Sequence, residues 1–304
     1  MASILQTALE LGLISSLTVL ALFLSYSMLN VCDLSTDGCF TLGAAVGAVI
    51  AIAGHPFLSL PAAMGAGILS GFTTALLQTK MGIDSLLSGI IVNTGLYSIN
   101  IAVMGGASLL NMNKTATVFS MMKELLRTTP LRSMYKTVIA LIAVAAVIVF
   151  LTLFLRTRLG LAIRATGNNP AMVRSSSVNP AFTTTVGLCI SNSFTALSGC
   201  LLAQCQKSVN IDIGSGIVTI SLASLLIGKA FAGKGGITRK AIGAVLGAII
   251  FRLVYAIALR FHMPAFMLKL VSSVIVIIAI SGPYLKSRYP DLHRRLTHKF
   301  GKGA

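Results

Sequence analysis

Arg164, Gly167, Asn168, Asn169, Pro170, Arg174 and Asn179 have the types and spacing of a docking element rather than of a catalytic set. Asn168 and Asn169 ahead of Pro170 resemble a helix start, because an asparagine side chain accepts from the first unpaired backbone N–H groups and proline is tolerated in the first turn. The predicted product is a short helix over roughly 170–177, with Gly160 and Gly167 permitting turns before it. Arg164 and Arg174 flank that helix and can offer charge-assisted hydrogen bonds to a partner. The plainer alternative is an ordinary basic loop between membrane spans.

A second set of polar residues falls inside apolar runs. Arg252 lies near the middle of the 240–261 run and Lys269 follows Pro264 by five positions. An ionisable group in hydrocarbon costs several kcal/mol, so each needs a cavity, a partner or an interface to face. Lys269, near a run end, can snorkel more easily than Arg252. For Arg252 a structural interface and a solute pathway both stand, and no acid nearby in sequence supplies its counter-charge. Asn93 and Asn192, with Asn100, Gln78, Gln204 and Gln206, serve either interhelical hydrogen bonds or a hydrated path. Asp33, Asp37 and Asp84 sit at helix edges and read as amino-terminal caps, with Asp33 and Asp37 also able to line an outer mouth.

Other chemistries are poorly supported. His55, His262, His293 and His298 have no ligand spacing, and no nucleophile triad or carboxylate pair is legible, so neither a metal nor a catalytic role is expected. Gly228, Gly233, Lys234 and Gly235 approximate a phosphate loop but lack its closing Ser/Thr and follow an apolar run rather than a strand. No cofactor is expected. Five cysteines at irregular spacing support no metal site, and a Cys32–Cys39 disulfide is disfavoured.

The elements that carry these residues are membrane helices. Mean hydropathy is +0.89, and charged residues are 10% of the chain where soluble domains carry about 25%. A net charge of +17 could suggest nucleic acid, but the cations cluster in short loops between apolar segments, which is the positive-inside pattern. No nucleic-acid partner is expected, and the bilayer is the solvent. Runs of about 20 apolar residues suffice to span it, and they occur at 8–29, 60–79, 84–104, 137–155, 182–204, 216–230, 240–261 and 264–282. The stretch 39–54 is shorter and ends at Gly54, His55 and Pro56. The expectation is therefore an all-α polytopic bundle of about eight spanning helices plus a broken or re-entrant element at 39–59. The whole chain, 1–304, reads as one transmembrane domain, with a loop at 156–182 and a basic tail at 283–304, both cytoplasmic by charge. If 39–59 does not cross, the amino terminus is cytoplasmic and the Asp33–Asp37 loop faces out; if it does, there are nine spans and the amino terminus is outside. The first arrangement is preferred, since a break packed inside a bundle need not leave backbone groups unpaired. Small residues in 43–54, 65–71 and 243–248 read as helix-packing faces.

Five segments carry a resemblance: DLSTDGCFTLGAAVGA (33–48), IRATGNNPAMVRSSSVN (163–179), GLCISNSFTALSGCLLAQCQ (187–206), SLASLLIG (221–228), and IIFRLVYAIALR with PAFMLKL (249–260, 264–270). In that order they resemble the inner-membrane permease subunits of bacterial ABC importers, in the group that includes ribose and branched-chain amino acid permeases, and most closely the tryptophan/tyrosine permease branch. The resemblance implies that 163–179 couples to an ATP-binding ATPase subunit, that a second permease copy completes the pathway, and that an extracytoplasmic solute-binding lipoprotein delivers the solute. It also implies a transport subunit without enzymatic activity, moving a small organic solute, with an amino acid as the leading candidate. Departures from the group's pattern are Lys229 and Met267 where acids are usual, Ser221 for Gly and Cys39 for Ser. The rival reading is a self-contained ion-coupled transporter or channel, which would favour a membrane-embedded acid or inverted repeats.

Overall fold

The computed structural model describes residues 2–125, 134–233, 235–260, 270, 273–277 and 281. Its elements run α1 Ala2–Leu22, widening into a π-helical turn at Phe23–Met28; α2 Thr36–Ile52; α3 Ser59–Thr79; α4 Ser85–Val103; β1 Leu109–Asn111; α5 Val118–Leu125; α6 Tyr135–Phe154; α7 Arg158–Asn168; α8 Pro170–Ser175; α9 Pro180–Gln206; β2 Ser208–Asn210; a 3-10 turn Ile211–Gly214; α10 Ile217–Ala232; and α11 Ile237–Arg260. Among the described residues seven helices are long and apolar enough to cross a membrane. The fold is an all-α polytopic bundle, as expected. The eighth expected span, 264–282, and the tail, 283–304, fall mostly or wholly outside the described residues.

The bundle is built around α9 and α1, the two most buried spans. Side-chain hydrogen bonds set them antiparallel: Ser191 donates to the Ala21 carbonyl (2.8 Å) and Ser198 to the Ile14 carbonyl (2.7 Å). α2 and α3 pack along α9 through small residues. A Cβ at Gly43, Gly67 or Gly71 would strike the α9 backbone at Ala196, Asn192 or Leu188, and one at Gly47 would strike the Cys200 thiol. Between α10 and α11, Gly228 meets Gly243, and Gly247 meets the Ser224 carbonyl. The three small-residue stretches are therefore packing faces, where close backbone approach replaces the hydrophobic drive that lipid removes.

α2 departs from the preferred arrangement. Gly43 lies at Ala196 and Gly47 at Cys200, so α2 runs parallel to α9, beginning deep in the bundle near Asn192. The chain reaches that start from the end that carries α8, where Gly167 packs on Met28 and Leu29. Residues 29–35 traverse the half of the bundle next to α8 without forming a helix, and α2 traverses the other half. The break thus precedes the helix rather than following it, and 29–52 crosses as a unit. Consequently the amino terminus lies at the end opposite α8, not at the same end. The backbone of the break is held by local side chains: Ser35 N–H and Oγ both donate to Asp33 Oδ1 (2.8 and 2.6 Å), and Thr36 Oγ1 to the Asp33 carbonyl (2.9 Å). Asn30 takes a left-handed φ of 57° at the bend, a conformation asparagine tolerates better than most residues.

At the end away from α8, β1 and β2 form an antiparallel pair, Leu110 opposite Val209. Gln204 ties this end together: its amide donates to Ser59 Oγ (2.6 Å) and its carbonyl accepts from Val118 N–H (2.9 Å).

Candidate functional site

At the basic end, the stretch read as one loop is two helices. α8 ends at Ser175, two residues short of the expected limit, and α7 occupies 158–168 where turns were expected at Gly160 and Gly167. Both glycines are helical, and their missing Cβ atoms serve approach instead: Gly160 packs on the Phe154 carbonyl and Leu155, Gly167 on the Met28 carbonyl and Leu29. Asn169 caps α8, its Oδ1 accepting from Ala171 N–H (3.0 Å) and Met172 N–H (3.1 Å), with Pro170 in the first turn. Asn168 is the last residue of α7 and makes no such cap. Asn179 caps α9 by accepting from Ala181 N–H (2.9 Å). Met172 and Arg174 are exposed on α8, while Val173 is buried and anchors it. Gly167, Asn168, Pro170 and Arg174 line a cleft of about 410 Å³ together with Asn30 and Gln78. Arg164, on α7, is not part of that wall.

Deep in the bundle, the Asp33 carboxyl is 1% exposed and accepts from Asn192 Nδ2 at 2.8 Å. Asp37, at the start of α2, caps another helix: its two oxygens accept from Gly216 N–H (3.0 Å) and Val218 N–H (2.8 Å) at the start of α10. Asp84 is an ordinary cap, accepting from Leu86 N–H (2.9 Å). The capping expectation holds for Asp37 and Asp84, but neither Asp33 nor Asp37 stands in an outward-facing loop.

Above Asp37 opens a polar cavity of about 460 Å³ between α2, α4 and the 3-10 turn, lined by Asp37, Asn93, Tyr97, Asn100, Asp212 and Ser215 among others. Asn93 is on its wall; Asn192 is not, being fully buried against Asp33. Arg252 lies on the opposite flank, between α11 and α1, donating to Ser15 Oγ from Nε (3.1 Å) and Nη2 (2.7 Å). Asn93, Asn192 and Arg252 thus occupy three separate places in the bundle. Arg252 has an interhelical role among the described residues, and Lys269 falls outside them.

A family model for the permease component of branched-chain amino acid transport systems matches residues 4–280. The chain belongs to this permease family. It is similar to the tyrosine transport system permease protein of Clostridioides difficile (strain R20291), at 30% identity over 96% of this chain and 95% of the relative. It is also similar to an uncharacterised protein of Rickettsia prowazekii (strain Madrid E), at 28% identity over 92% of this chain and 98% of the relative. No solved structure matches. The permease is a transport subunit rather than an enzyme, and a multi-pass protein of the bacterial plasma membrane.

What the sequence reading of this permease missed is the cavity. Its walls come from 37–41, 93–100 and 211–215, three short segments that are far apart in sequence. Asp212 stands alone as an acid in its stretch of sequence, with no second carboxyl nearby to mark it. The available signal was the coincidence of Asp37 with polar residues at one-turn spacing on α4, Asn93, Tyr97 and Asn100. Lys229 lies over the Tyr26 ring, 5.3 Å from its centroid, so an aromatic face receives the cation. Cys32 and Cys39 are both free thiols.

Proposed function

We propose that the permease is the membrane-spanning subunit of an ATP-driven importer that carries an amino acid into the cytoplasm. Two copies enclose the pathway, an ATP-binding ATPase subunit seats on α8 of each copy, and an extracytoplasmic solute-binding lipoprotein delivers solute at the opposite end. Arg164, Gly167, Asn168, Asn169, Pro170, Arg174 and Asn179 belong to the coupling segment. The observation that carries the reading is the α7–α8 corner. α8 is rigidly capped and presents Met172 and Arg174 outward, while Gly167 presses on the junction of α1 with the 29–35 break. A push on α8 therefore has a direct backbone route to Asp33 and the start of α2. The name of the Clostridioides difficile relative makes tyrosine the first solute to try.

The test is solute uptake into proteoliposomes holding the permease, its ATPase and its binding protein. Ala171→Pro with Arg174→Glu should abolish ATP-dependent uptake while leaving the permease folded. Uptake by the permease alone, driven by an ion gradient, would replace this reading with a secondary transporter.

A further inference from the structure

We infer that the polar cavity between α2, α4 and the 3-10 turn is a binding site for the ammonium group of the transported solute, a reading that rests on the permease conducting that solute. Three independent features converge there. The wall holds two carboxyl groups, Asp37 and Asp212, and no Lys, Arg or His. Asp37 is partly offset, because its oxygens face the amino-terminal end of α10 and a helix start carries roughly half a positive charge. Asp212 is exposed and has no such neutralising contact among its described hydrogen bonds, which involve only its backbone: its N–H donates to Asn210 Oδ1 and its carbonyl accepts from Ser215 N–H.

The third feature is Asn100. It is 1% exposed and lines the cavity. Its Nδ2 is committed to the Gly38 carbonyl at 3.1 Å, which fixes the amide orientation, and its Oδ1 accepts from no described protein group. A buried acceptor without a donor keeps the desolvation penalty that a hydrogen bond would offset. A site built of two carboxyls and an orphan amide oxygen needs a ligand that donates hydrogen bonds and carries positive charge. A primary ammonium, with three N–H donors and no acceptor, answers all three. The exposed ring of Tyr97 on the same wall offers a further face to a cation. A carboxylate, by contrast, would meet two like charges.

The experiment needs neither ATPase nor binding protein, so its failure and that of the importer reading are separable. Ser98 is exposed on the cavity wall. The Ser98→Cys permease in lipid nanodiscs is reacted with two methanethiosulfonate reagents, one bearing a trimethylammonium group and one a sulfonate, with the unmutated permease as background. Clefts of one charge sign concentrate counter-ions by a factor of 10 or more. The cation-to-anion rate ratio should therefore exceed that of free 2-mercaptoethanol about tenfold. Asp212→Asn should lower it, and n-butylammonium should protect the cysteine where butyrate at equal concentration does not. Asp212→Asn carries the test even if Asp37→Asn, which strips the α10 cap, fails to fold. A ratio no higher than that of the free thiol, a ratio untouched by Asp212→Asn, or protection that butylammonium fails to give or butyrate gives equally, would overturn the site.

Discussion

Asn192 and Asn169 show how one residue type does two jobs in this permease. Asn192 satisfies Asp33 where no water reaches either group. Replacing it by Ala leaves a buried carboxyl short of a donor and should destabilise the bundle by about 2 kcal/mol. Thermal unfolding in detergent checks this, and an unchanged midpoint would mean that the pair is not formed. Asn169 acts at the surface. Asn169→Ala removes two cap hydrogen bonds and should cost about 1 kcal/mol of α8 stability, lowering ATP-coupled uptake far more than the melting temperature of the whole bundle. At this scale the caps were legible, since Asn-Pro pairs announce them locally. The Asp33–Asn192 bond was not, because nothing in a local pattern links residues separated by 159 positions.

At the scale of helices, glycine positions separate contact from composition. Gly67 presses on the Asn192 carbonyl, whereas Gly65, two residues away on the same helix, has nothing near it. Gly67→Leu should force α3 off α9 and cost 3 kcal/mol or more, at the upper end of the overpacking range. Gly65→Ala should be neutral or gain up to about 1 kcal/mol from helix propensity. Comparing the two unfolding midpoints checks the pair, and equal losses would contradict the α3–α9 packing. The spans themselves were readable from length and hydropathy alone. α7 was not, because its glycines imitate turn residues; the carbonyls they approach, Phe154 for Gly160 and Met28 for Gly167, are visible only in three dimensions. The sequence places a broken or re-entrant element at 39–59, whereas the break lies at 29–35, for a related reason. Gly54 and Pro56 mark a turn at the far end of α2, whereas Asp33 of the 29–35 stretch is matched inside the bundle by a partner distant in sequence.

For the whole molecule, the decisive feature is the direction of α2. Because 29–52 crosses completely, the amino terminus and α8 lie at opposite ends. An amino-terminal epitope tag and a cysteine introduced by Ser175→Cys should be reached from opposite faces of oriented membrane vesicles. Labelling of both from the same face would contradict the parallel α2–α9 pair. Loop charge could not settle this point in the sequence, since 105–136 carries five cations and weakens the charge asymmetry on which orientation rests.

The parallel pairing of α2 with α9 also sets an order of events during biosynthesis. The ribosome releases Asp33 and the non-helical segment 29–35 long before it has made Asn192. Until then the Asp33 carboxyl has only its local Ser35 donors at membrane depth and lacks the Asn192 amide. The early segment therefore completes its hydrogen bonding only once α9 is in place, and a chain halted after α6 lacks both the Asp33–Asn192 bond and the backbone contacts that seat α2.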